Sequence, residues 1–229
     1  MKKATTAVEL FDKYAKNYDE MQHATVPAYE DAISMVANAY QHYVGTGKFL
    51  DVGCGTGNLS SLILKDSPES RVFLLDGSQA MLDKALKKIN DKSIIGSKTV
   101  NLEDPNWHHG VEDPLDAVVS SFVLEHLKEN DYRAVVCRCH ELLKPDGVMV
   151  TVEWSNDEHG MKEWFIKRMT AQGQSHPQYA HIIEEAKEAE KHYFVNIREK
   201  ISWLEDAGFH NVHTIWQYLF GYVIAGEKK

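Results

Sequence analysis

The stretch "KFLDVGCGTGNLSSLIL", Lys48 to Leu64, contains the clearest signal for the fold. A short apolar run ends at Asp51, and an apolar pattern of helical period begins at Leu59. Three glycines lie between them at alternate positions, namely Gly53, Gly55 and Gly57. Glycine tolerates positive φ and leaves the backbone bare, and a helix N-terminus has unpaired N–H groups. The stretch therefore predicts a strand, a tight turn and a helix start, with a ligand close to the amides.

Composition limits the class of protein. The chain has 229 residues, of which 43% are hydrophobic and 26% charged, as expected for one soluble globular domain. The net charge of −9 disfavours a broad nucleic-acid surface, so we expect no DNA partner. The N-terminal "MKKATTAVELFDKY" lacks a signal-peptide apolar run, and no apolar stretch has membrane-spanning length. We expect a cytoplasmic protein without a membrane partner, either a monomer or a homodimer.

Strand and helix patterns alternate along most of the chain. Apolar runs occur at "KFLDV", "RVFLLD", "KTVNL", "LDAVVSS" and "GVMVTVEW", with helical patterns between them. This alternation predicts a parallel sheet that is covered on both faces. "KPDG", Lys144 to Gly147, indicates a turn in which glycine takes positive φ. The pattern predicts further helices at residues 6–20, from Pro27, and in "KISWLEDAGF", followed by two strands near 210–217 and 219–226.

The predicted fold is α/β and Rossmann-like, with a seven-stranded, mostly parallel sheet whose last strand is antiparallel. We expect a single domain over residues 1–229. Residues 1–45 would form N-terminal cap helices, 46–155 the cofactor-binding core, 156–200 a helical lid insertion after strand 5, and 201–229 the last helix and strand pair. The insertion carries aromatic and other residues that could contact a substrate: Trp164, Phe165, Met169, Tyr179, His181, Tyr193 and Phe194.

Two common nucleotide sites are disfavoured by the glycine spacing. A dinucleotide site requires G-x-G-x-x-G, whereas Asn58 stands near the place of the last glycine. The lysine of a P-loop is also missing from the stretch. One alternative remains open, in which the glycine turn is purely structural and Asp76 caps a helix.

The motifs resemble those of the class I S-adenosylmethionine-dependent methyltransferases, in particular the members that act on small molecules. "FLDVGCGTGNLS" resembles the first motif, and "VFLLDGSQAML", with Asp76 at the strand end, resembles the acidic second motif. "LDAVVSSFVLEHL" and "LLKPDGVMVTVEW" resemble the fourth and fifth motifs. "FDKYAKNYDE" is similar to the N-terminal cap helix of these enzymes. The resemblance covers essentially the whole chain and implies S-adenosyl-L-methionine as cofactor and S-adenosyl-L-homocysteine as product.

The resemblance also implies roles for individual residues. Asp76 would accept hydrogen bonds from both ribose hydroxyls, and Asp51 would face the methionine ammonium directly or through water. Asn101 falls where the family often has an aspartate beside the adenine amino group, and its amide oxygen can accept from that group. The full set implied to bind the cofactor is Tyr14, Tyr18, Asp51, Gly53, Cys54, Gly55, Gly57, Asn58, Asp76, Gly77, Ser78, Met81, Asn101, Leu102, Glu103, Ser121, Phe122 and His126.

Methyl transfer requires alignment of nucleophile, methyl and sulfur more than it requires a catalytic triad. A general base is needed only for a protonated nucleophile. Because a sulfonium is attracted to aromatic faces, Tyr14, Tyr18 and Phe11 could close over the cofactor. His126, Tyr18 and Trp154 are the candidate catalytic residues, although His126 could instead pack beside the cofactor and Trp154 could be part of the core.

No metal site is predicted. "CRCH", Cys137 to His140, contains suitable ligand types, but its spacing on a helix places them on different faces. "WHH", Trp107 to His109, has no paired cluster of ligands.

The leading hypothesis is a methyltransferase with a small-molecule acceptor. One alternative keeps the cofactor, because "VPAYEDAISMV" and "IWQYLFGYVIAGEK" resemble segments of carboxy-S-adenosylmethionine synthases. Another is a non-catalytic protein that binds S-adenosylmethionine. A tRNA or protein methyltransferase also remains open, while the acidic charge argues against a DNA substrate.

Overall fold

The apolar run before the glycine turn forms strand β1 (Lys48–Val52), in which every residue after the first is buried. A computed structural model describes residues 7–112, 114–155, 167–168, 170–171, 175 and 195–229. The other strands are β2 (Arg71–Asp76), β3 (Ile94–Thr99), β4 (Leu115–Ser121), β5 (Leu143–Trp154), β6 (His210–Tyr218) and β7 (Gly221–Glu227). The helices are α1 (Ala7–Tyr14), α2 (Tyr18–Thr25), α3 (Tyr29–Tyr43), α4 (Asn58–Asp66), α5 (Gln79–Lys88), α6 (Glu129–Leu142) and α7 (Ile197–Asp206).

The strands form one seven-stranded sheet in the order β3-β2-β1-β4-β5-β7-β6. The pairs from β3 through β5 are parallel, and β7 runs antiparallel to both of its neighbours. The predicted fold class is thereby confirmed. The chain leaves β1 towards β2 on one side and later returns to β4 on the other side. In open α/β sheets, ligands bind beyond the carboxyl ends of the strands at this reversal.

Two apolar clusters cover the two faces of the sheet. Helices α3, α4 and α5 pack on one face through residues such as Val36, Leu59 and Ala85. Helices α6 and α7 pack on the other through residues such as Val135 and Leu204. Because both faces are covered, the central strands read as continuous apolar runs in the sequence. The loops that form the site lie at the carboxyl edge of the sheet, which these helices do not cover.

The N-terminal segment differs from the single helix predicted over residues 6–20. Helix α1 ends at Tyr14, residues 15–17 form a 3-10 turn, and α2 continues to Thr25. Ala28 then takes φ 59°, and α3 begins at the next residue. The spacing of apolar residues does not reveal these bends. Phe11 in α1 and Tyr18 in α2 face the same site, so they look like one face of a single helix.

One strand prediction and one turn prediction are corrected. "KTVNL" was expected to form a strand, but β3 ends at Thr99, and Val100, Asn101 and Leu102 lie in the loop beyond it. In "KPDG" the positive φ, 63°, falls on Asp146 instead of Gly147. That segment is an irregularity within β5, where the pairing with β4 shifts between Leu115 and Ala117.

The chain leaves the sheet after β5 and returns to it before α7. Ser155 donates its backbone N–H to the Phe220 carbonyl and its hydroxyl to the Val195 carbonyl at 2.6 Å. Helix α7 starts earlier than "KISWLEDAGF" predicted, because Asn196 and Glu199 form a capping box. The aromatic residues predicted for a lid, Trp164 to Phe194, lie outside the described residues, so the helical lid stays a prediction.

Candidate functional site

The turn after β1 is shaped by glycines with positive φ. Gly53 has φ 70°, and a Cβ there would lie 2.3 Å from a Val123 methyl group. Gly55 has φ 52°, and a Cβ there would meet no atom within 4 Å. The Cys54 amide donates to the Leu75 carbonyl at 2.8 Å, which ties the turn to the end of β2. The turn is thus packed on its β4 side and open at Gly55.

Asp76 ends β2 and is bound to the glycine turn. Its Oδ2 accepts the Gly55 N–H at 2.7 Å, and its Oδ1 accepts the Ser78 N–H at 2.8 Å. Burial raises the pKa of Asp76, while its backbone hydrogen bonds oppose that increase. The Ser78 side chain caps α5 by accepting the Met81 N–H, so Asp76 orients the turn and Ser78 caps the helix.

Asp51, which the resemblance placed facing the methionine ammonium directly or through water, is a buried acid in β1. Its side chain is fully buried and does not line the cavity beside the turn. Its Oδ2 accepts the Ser60 hydroxyl in the first turn of α4, while Oδ1 has no hydrogen-bond partner among the described residues. Burial raises the pKa of Asp51 to about 7, opposed by Ser60 and reinforced by the charge of Asp76. Asp51 therefore does not reach the cavity directly, and a contact with the methionine ammonium through water stays a prediction.

A cavity of about 730 Å³ lies beyond the carboxyl ends of β1, β2, β3 and β4. Its volume is within the usual range for small-molecule sites. The predicted residues that line it are Tyr18, Gly53, Cys54, Gly55, Asn58, Asp76, Gly77, Ser78, Met81, Asn101, Leu102, Glu103, Ser121, Phe122 and His126. Tyr14, Asp51, Gly57 and Trp154, which were also predicted, do not line it.

The predicted residues outside the cavity wall have other surroundings. A Cβ on Gly57 would meet Ala85 at 3.0 Å, so this glycine allows α4 and α5 to approach each other closely. The Tyr14 ring has the Lys13 ammonium 4.7 Å from its centroid. The Trp154 ring stacks on Phe122 with centroids 4.8 Å apart, so it supports the wall from behind.

Several lining residues were missed by the sequence reasoning: Val8, Tyr29, Thr56, Leu59, Leu75, Val100, Val123, Leu127 and Lys128. The burial of Tyr29 could have been predicted, because it lies one turn before Ile33 on the apolar face of α3. The loop residues carried no such indication, since their approach to the cavity depends on tertiary structure.

Two aspartates fasten the N-terminal helices over the cavity. Asp12 accepts the Ser78 hydroxyl. Asp19 accepts the Thr56 hydroxyl, the Asn58 amide at 3.1 Å and the Lys88 ammonium at 2.9 Å. Burial raises the pKa of Asp19, but its hydrogen bonds and the charge of Lys88 outweigh burial and lower that pKa overall. Val8, Phe11 and Tyr18 are thereby held as a roof over the cavity.

The wall beyond β4 is aromatic. Phe122 has φ 55°, a conformation that is strained for a residue with a Cβ. Its ring lies between Tyr29 at 5.9 Å and Trp154 at 4.8 Å, with both pairs stacked. The His126 ring lies 6.0 Å from that of Phe11. This end of the cavity presents flat apolar faces to a ligand.

A buried ionic network lies under the end of β5. Lys200 and Glu153 are both fully buried, and the ammonium lies 2.6 Å from Glu153 Oε2. Lys200 also donates to the Trp154 carbonyl at 2.7 Å, and the Tyr132 hydroxyl donates to Glu153 Oε1 at 2.9 Å. Burial and the charge of Glu153 raise the pKa of Tyr132, so this phenol stays protonated. The network fixes the strand end that carries Trp154.

The cavity fits an adenosyl amino acid. Each Asp76 oxygen that accepts a backbone N–H keeps a lone pair for a sugar hydroxyl. The open space at Gly55 allows a ligand to approach the backbone. Met81 and Leu102 offer apolar surface, and the Asn101 Oδ1 accepts the Glu103 N–H at 3.1 Å, which orients that loop.

The geometry gives no support for a metal centre in "CRCH". Cys137 is exposed, whereas Cys139 is fully buried on the α6 side that faces the sheet. Over the described part of the chain, no three His, Cys, Asp or Glu residues are grouped as metal ligands. Among the helices of the described residues, none is long and apolar enough to cross a bilayer.

Known proteins that are similar to this chain include methyltransferases. Residues 50–149 match a family model described as a methyltransferase domain. An uncharacterized methyltransferase of Oceanobacillus iheyensis is 26% identical over 145 residues, which cover 62% of this chain and 64%, or less than two thirds, of that relative. A carboxy-S-adenosyl-L-methionine synthase of Helicobacter hepaticus is 24% identical over 226 residues, covering 92% of this chain and 91% of that protein.

The fold also matches solved structures. An O-methyltransferase family protein from Burkholderia thailandensis superposes with a TM-score of 0.70 at 16% identity. The match covers 98% of this chain and 63% of that one. At this identity the similarity concerns the fold.

Proposed function

We propose that this chain is a class I S-adenosylmethionine-dependent methyltransferase that methylates a small-molecule acceptor by in-line displacement, which the match of residues 50–149 to a methyltransferase domain supports. The observation that carries the proposal is the pairing of Asp76 with the Gly55 amide at the edge of the cavity. S-adenosylmethionine, when bound, supplies an electrophilic methyl group on a sulfonium centre and leaves as S-adenosylhomocysteine.

The chain's own residues would bind and orient the cofactor. Asp76 would accept from the ribose hydroxyls, and Asn101 from the adenine amino group. The backbone at Gly53 and Gly55 would border the amino-acid tail. The remaining lining residues of the predicted set would enclose the nucleoside and the sulfur.

Alignment would supply most of the rate enhancement, since positioning alone contributes roughly 7–11 kcal/mol in favourable cases. Tyr18 and His126 line the cavity and could touch the acceptor. Trp154 would act through Phe122, because its ring lies behind that of Phe122. The roof of N-terminal helices would exclude water from the reacting atoms.

The cavity wall favours a small acceptor over a macromolecule. Rings of Phe11, Tyr18, Tyr29 and Phe122 contribute to the lining. Within the described part of the lining, Lys128 is the one lysine or arginine, so the basic surface that a nucleic acid requires is lacking there. We further propose a cytoplasmic monomer or homodimer, which size-exclusion chromatography with light scattering would distinguish.

A binding and labelling experiment tests the proposal. S-adenosylmethionine and S-adenosylhomocysteine should each stabilise the protein, by about 2.7 kcal/mol at 100 times the dissociation constant. With methyl-labelled cofactor and a cell extract, label should enter the small-molecule fraction. Label in RNA or protein would contradict the small acceptor, and failure of both compounds to bind would contradict the cofactor.

A second candidate is carboxy-S-adenosylmethionine synthesis, which is favoured by the match to a synthase of that name over nearly the whole chain. That chemistry would require cationic groups near the transferred carbon, and Lys128 is the one such lysine or arginine in the described lining. Mass spectrometry of nucleotides that co-purify with the protein separates the two candidates. A species heavier than S-adenosylmethionine by the mass of one CO₂ would favour the synthase.

A further inference from the structure

Tyr29 is a buried polar side chain in the cavity wall for which the sequence suggested no role. It is the first residue of α3 and is 6% exposed. Its hydroxyl oxygen accepts the Asn58 side-chain amide at 3.1 Å, and its ring stacks on Phe122. The phenol is therefore held in place by two different neighbours.

The hydroxyl proton of Tyr29 is available to a ligand. The contact with Asn58 uses the oxygen as an acceptor, and among the described residues no acceptor receives the proton. Burial raises the pKa of Tyr29 to about 12, opposed by the Asn58 bond and reinforced by the charges of Asp19 and Asp51. The phenol keeps its proton at neutral pH. Since buried donors are normally paired and Tyr29 lines the cavity, a ligand with an acceptor there can receive this proton.

The order of the strands shows which part of a ligand lies beside Tyr29. Asn101 lies in the loop after β3 and Asp76 is the last residue of β2, so the nucleoside end lies on that side of the cavity. Tyr29 contacts Asn58, which follows the β1 turn, and Phe122, which follows β4. It therefore lies at the opposite end of the cavity from the nucleoside.

We propose that the Tyr29 hydroxyl donates a hydrogen bond to the carboxylate of the cofactor's amino-acid tail, an inference that rests on the proposed function. Tyr29 has a proton to give, and the tail's ammonium group can only donate. The carboxylate is thus the one group of the tail that can accept. The first-turn amides of Asn58 and Leu59 in α4 add donors on the same side, since no helical carbonyl is available to them.

The test is Tyr29→Phe, with affinities measured by calorimetry for four ligands. Binding of S-adenosylmethionine and S-adenosylhomocysteine should weaken roughly tenfold to a hundredfold, the range for a hydrogen bond to a charged group. Binding of 5′-methylthioadenosine, which lacks the tail, should not change. Decarboxylated S-adenosylmethionine, which keeps the ammonium but lacks the carboxylate, should also bind both proteins equally.

Tyr40→Phe is the matched control. Tyr40 lies on the same helix, is fully buried and bonds Ser70 Oγ at 2.9 Å, away from the cavity. Loss of the Tyr40 hydroxyl should lower the thermal stability of the protein and leave its affinities for all four ligands unchanged. Equal weakening for all four ligands with Tyr29→Phe, or no weakening at all, would overturn the inference. If wild-type protein bound neither S-adenosylmethionine nor S-adenosylhomocysteine, the proposed function itself would fail.

Discussion

The Oδ2 atom of Asp76 accepts the Gly55 N–H at 2.7 Å, so the acid at the end of β2 and the turn after β1 form one unit. Ser78 donates to the other oxygen of the same carboxylate. The protein thereby fixes the orientation of the acid before any ligand arrives, and preorganised groups bind with less loss of entropy.

Asp76→Asn should weaken binding of both S-adenosylmethionine and S-adenosylhomocysteine by about tenfold or more. The amide has no charge, and its NH₂ group would face a backbone N–H at one of the two sites. Calorimetry measures the loss. Asp83→Asn, an exposed position on α5, should leave affinity unchanged. Equal affinities for Asp76→Asn and wild type would show that the carboxylate does not hold the ligand.

Gly53→Ala and Gly55→Ala should separate stability from binding. At Gly53 the new methyl would overlap Val123, so we expect a loss of about 2 kcal/mol or more in the free energy of unfolding. At Gly55 nothing lies nearby, so only backbone strain of about 1–2 kcal/mol applies, while the methyl occupies ligand space. In urea denaturation, Gly53→Ala should therefore be the less stable variant. In S-adenosylmethionine binding, Gly55→Ala should be the more strongly weakened variant.

Asp51→Asn should alter the dependence of stability on pH. Because the pKa of Asp51 is raised to about 7 in the folded protein, the unfolded chain releases this proton first as pH rises. Wild-type stability should then fall between about pH 4 and pH 7, by up to a few kcal/mol, and this component should level off above pH 7. The ligand-free variant should lack this component. Parallel pH profiles for the two proteins would contradict the raised pKa.

Lys200→Met should destabilise the protein by roughly 3–5 kcal/mol, because Glu153 would remain buried without its partner. The double variant Lys200→Met with Glu153→Gln should recover much of that loss, since removing both charges removes the unpaired ion. Chemical denaturation measures both. A double variant no more stable than the single one would mean that the carboxylate is not the source of the loss.

Asp19→Asn should speed dissociation of S-adenosylhomocysteine, by about two- to tenfold in stopped-flow experiments. The substitution weakens the bonds from Thr56 and Lys88 that hold the N-terminal helices over the cavity. Asp31→Asn, which is exposed on α3, provides the control. An unchanged dissociation rate would mean that the roof does not limit release.

The sequence predicted β1, β2, β4 and the helices between them because their apolar periods are strong and local. It misplaced β3, since Val100 and Leu102 mimic an alternating strand. The true strand contains Gly96, where a Cβ would lie 2.3 Å from the Phe73 ring. That close approach depends on the neighbouring strand β2, so the sequence around Gly96 does not indicate it.

The direction in which a side chain points explains why some predicted site residues line the cavity and others do not. Asp76 and Asp51 both sit near strand ends, yet Asp76 faces the cavity and Asp51 faces α4. Lys200 is fully buried although lysine is normally exposed, so its pairing with Glu153 could not be anticipated. Such contacts depend on chain segments that are distant in sequence.

The hydrogen bond from Ser155 to the Val195 carbonyl joins the two ends of the segment between them. The pairing of the strands therefore does not depend on the amino-acid sequence of that segment. A stretch whose two ends are already fastened together can be lengthened, shortened or exchanged with little effect on strand register. Changes in the sequence between these two positions should therefore leave the pairing of β5 with β4 and β7 unchanged. Grafting that stretch from one relative into another is a practical route to hybrid proteins.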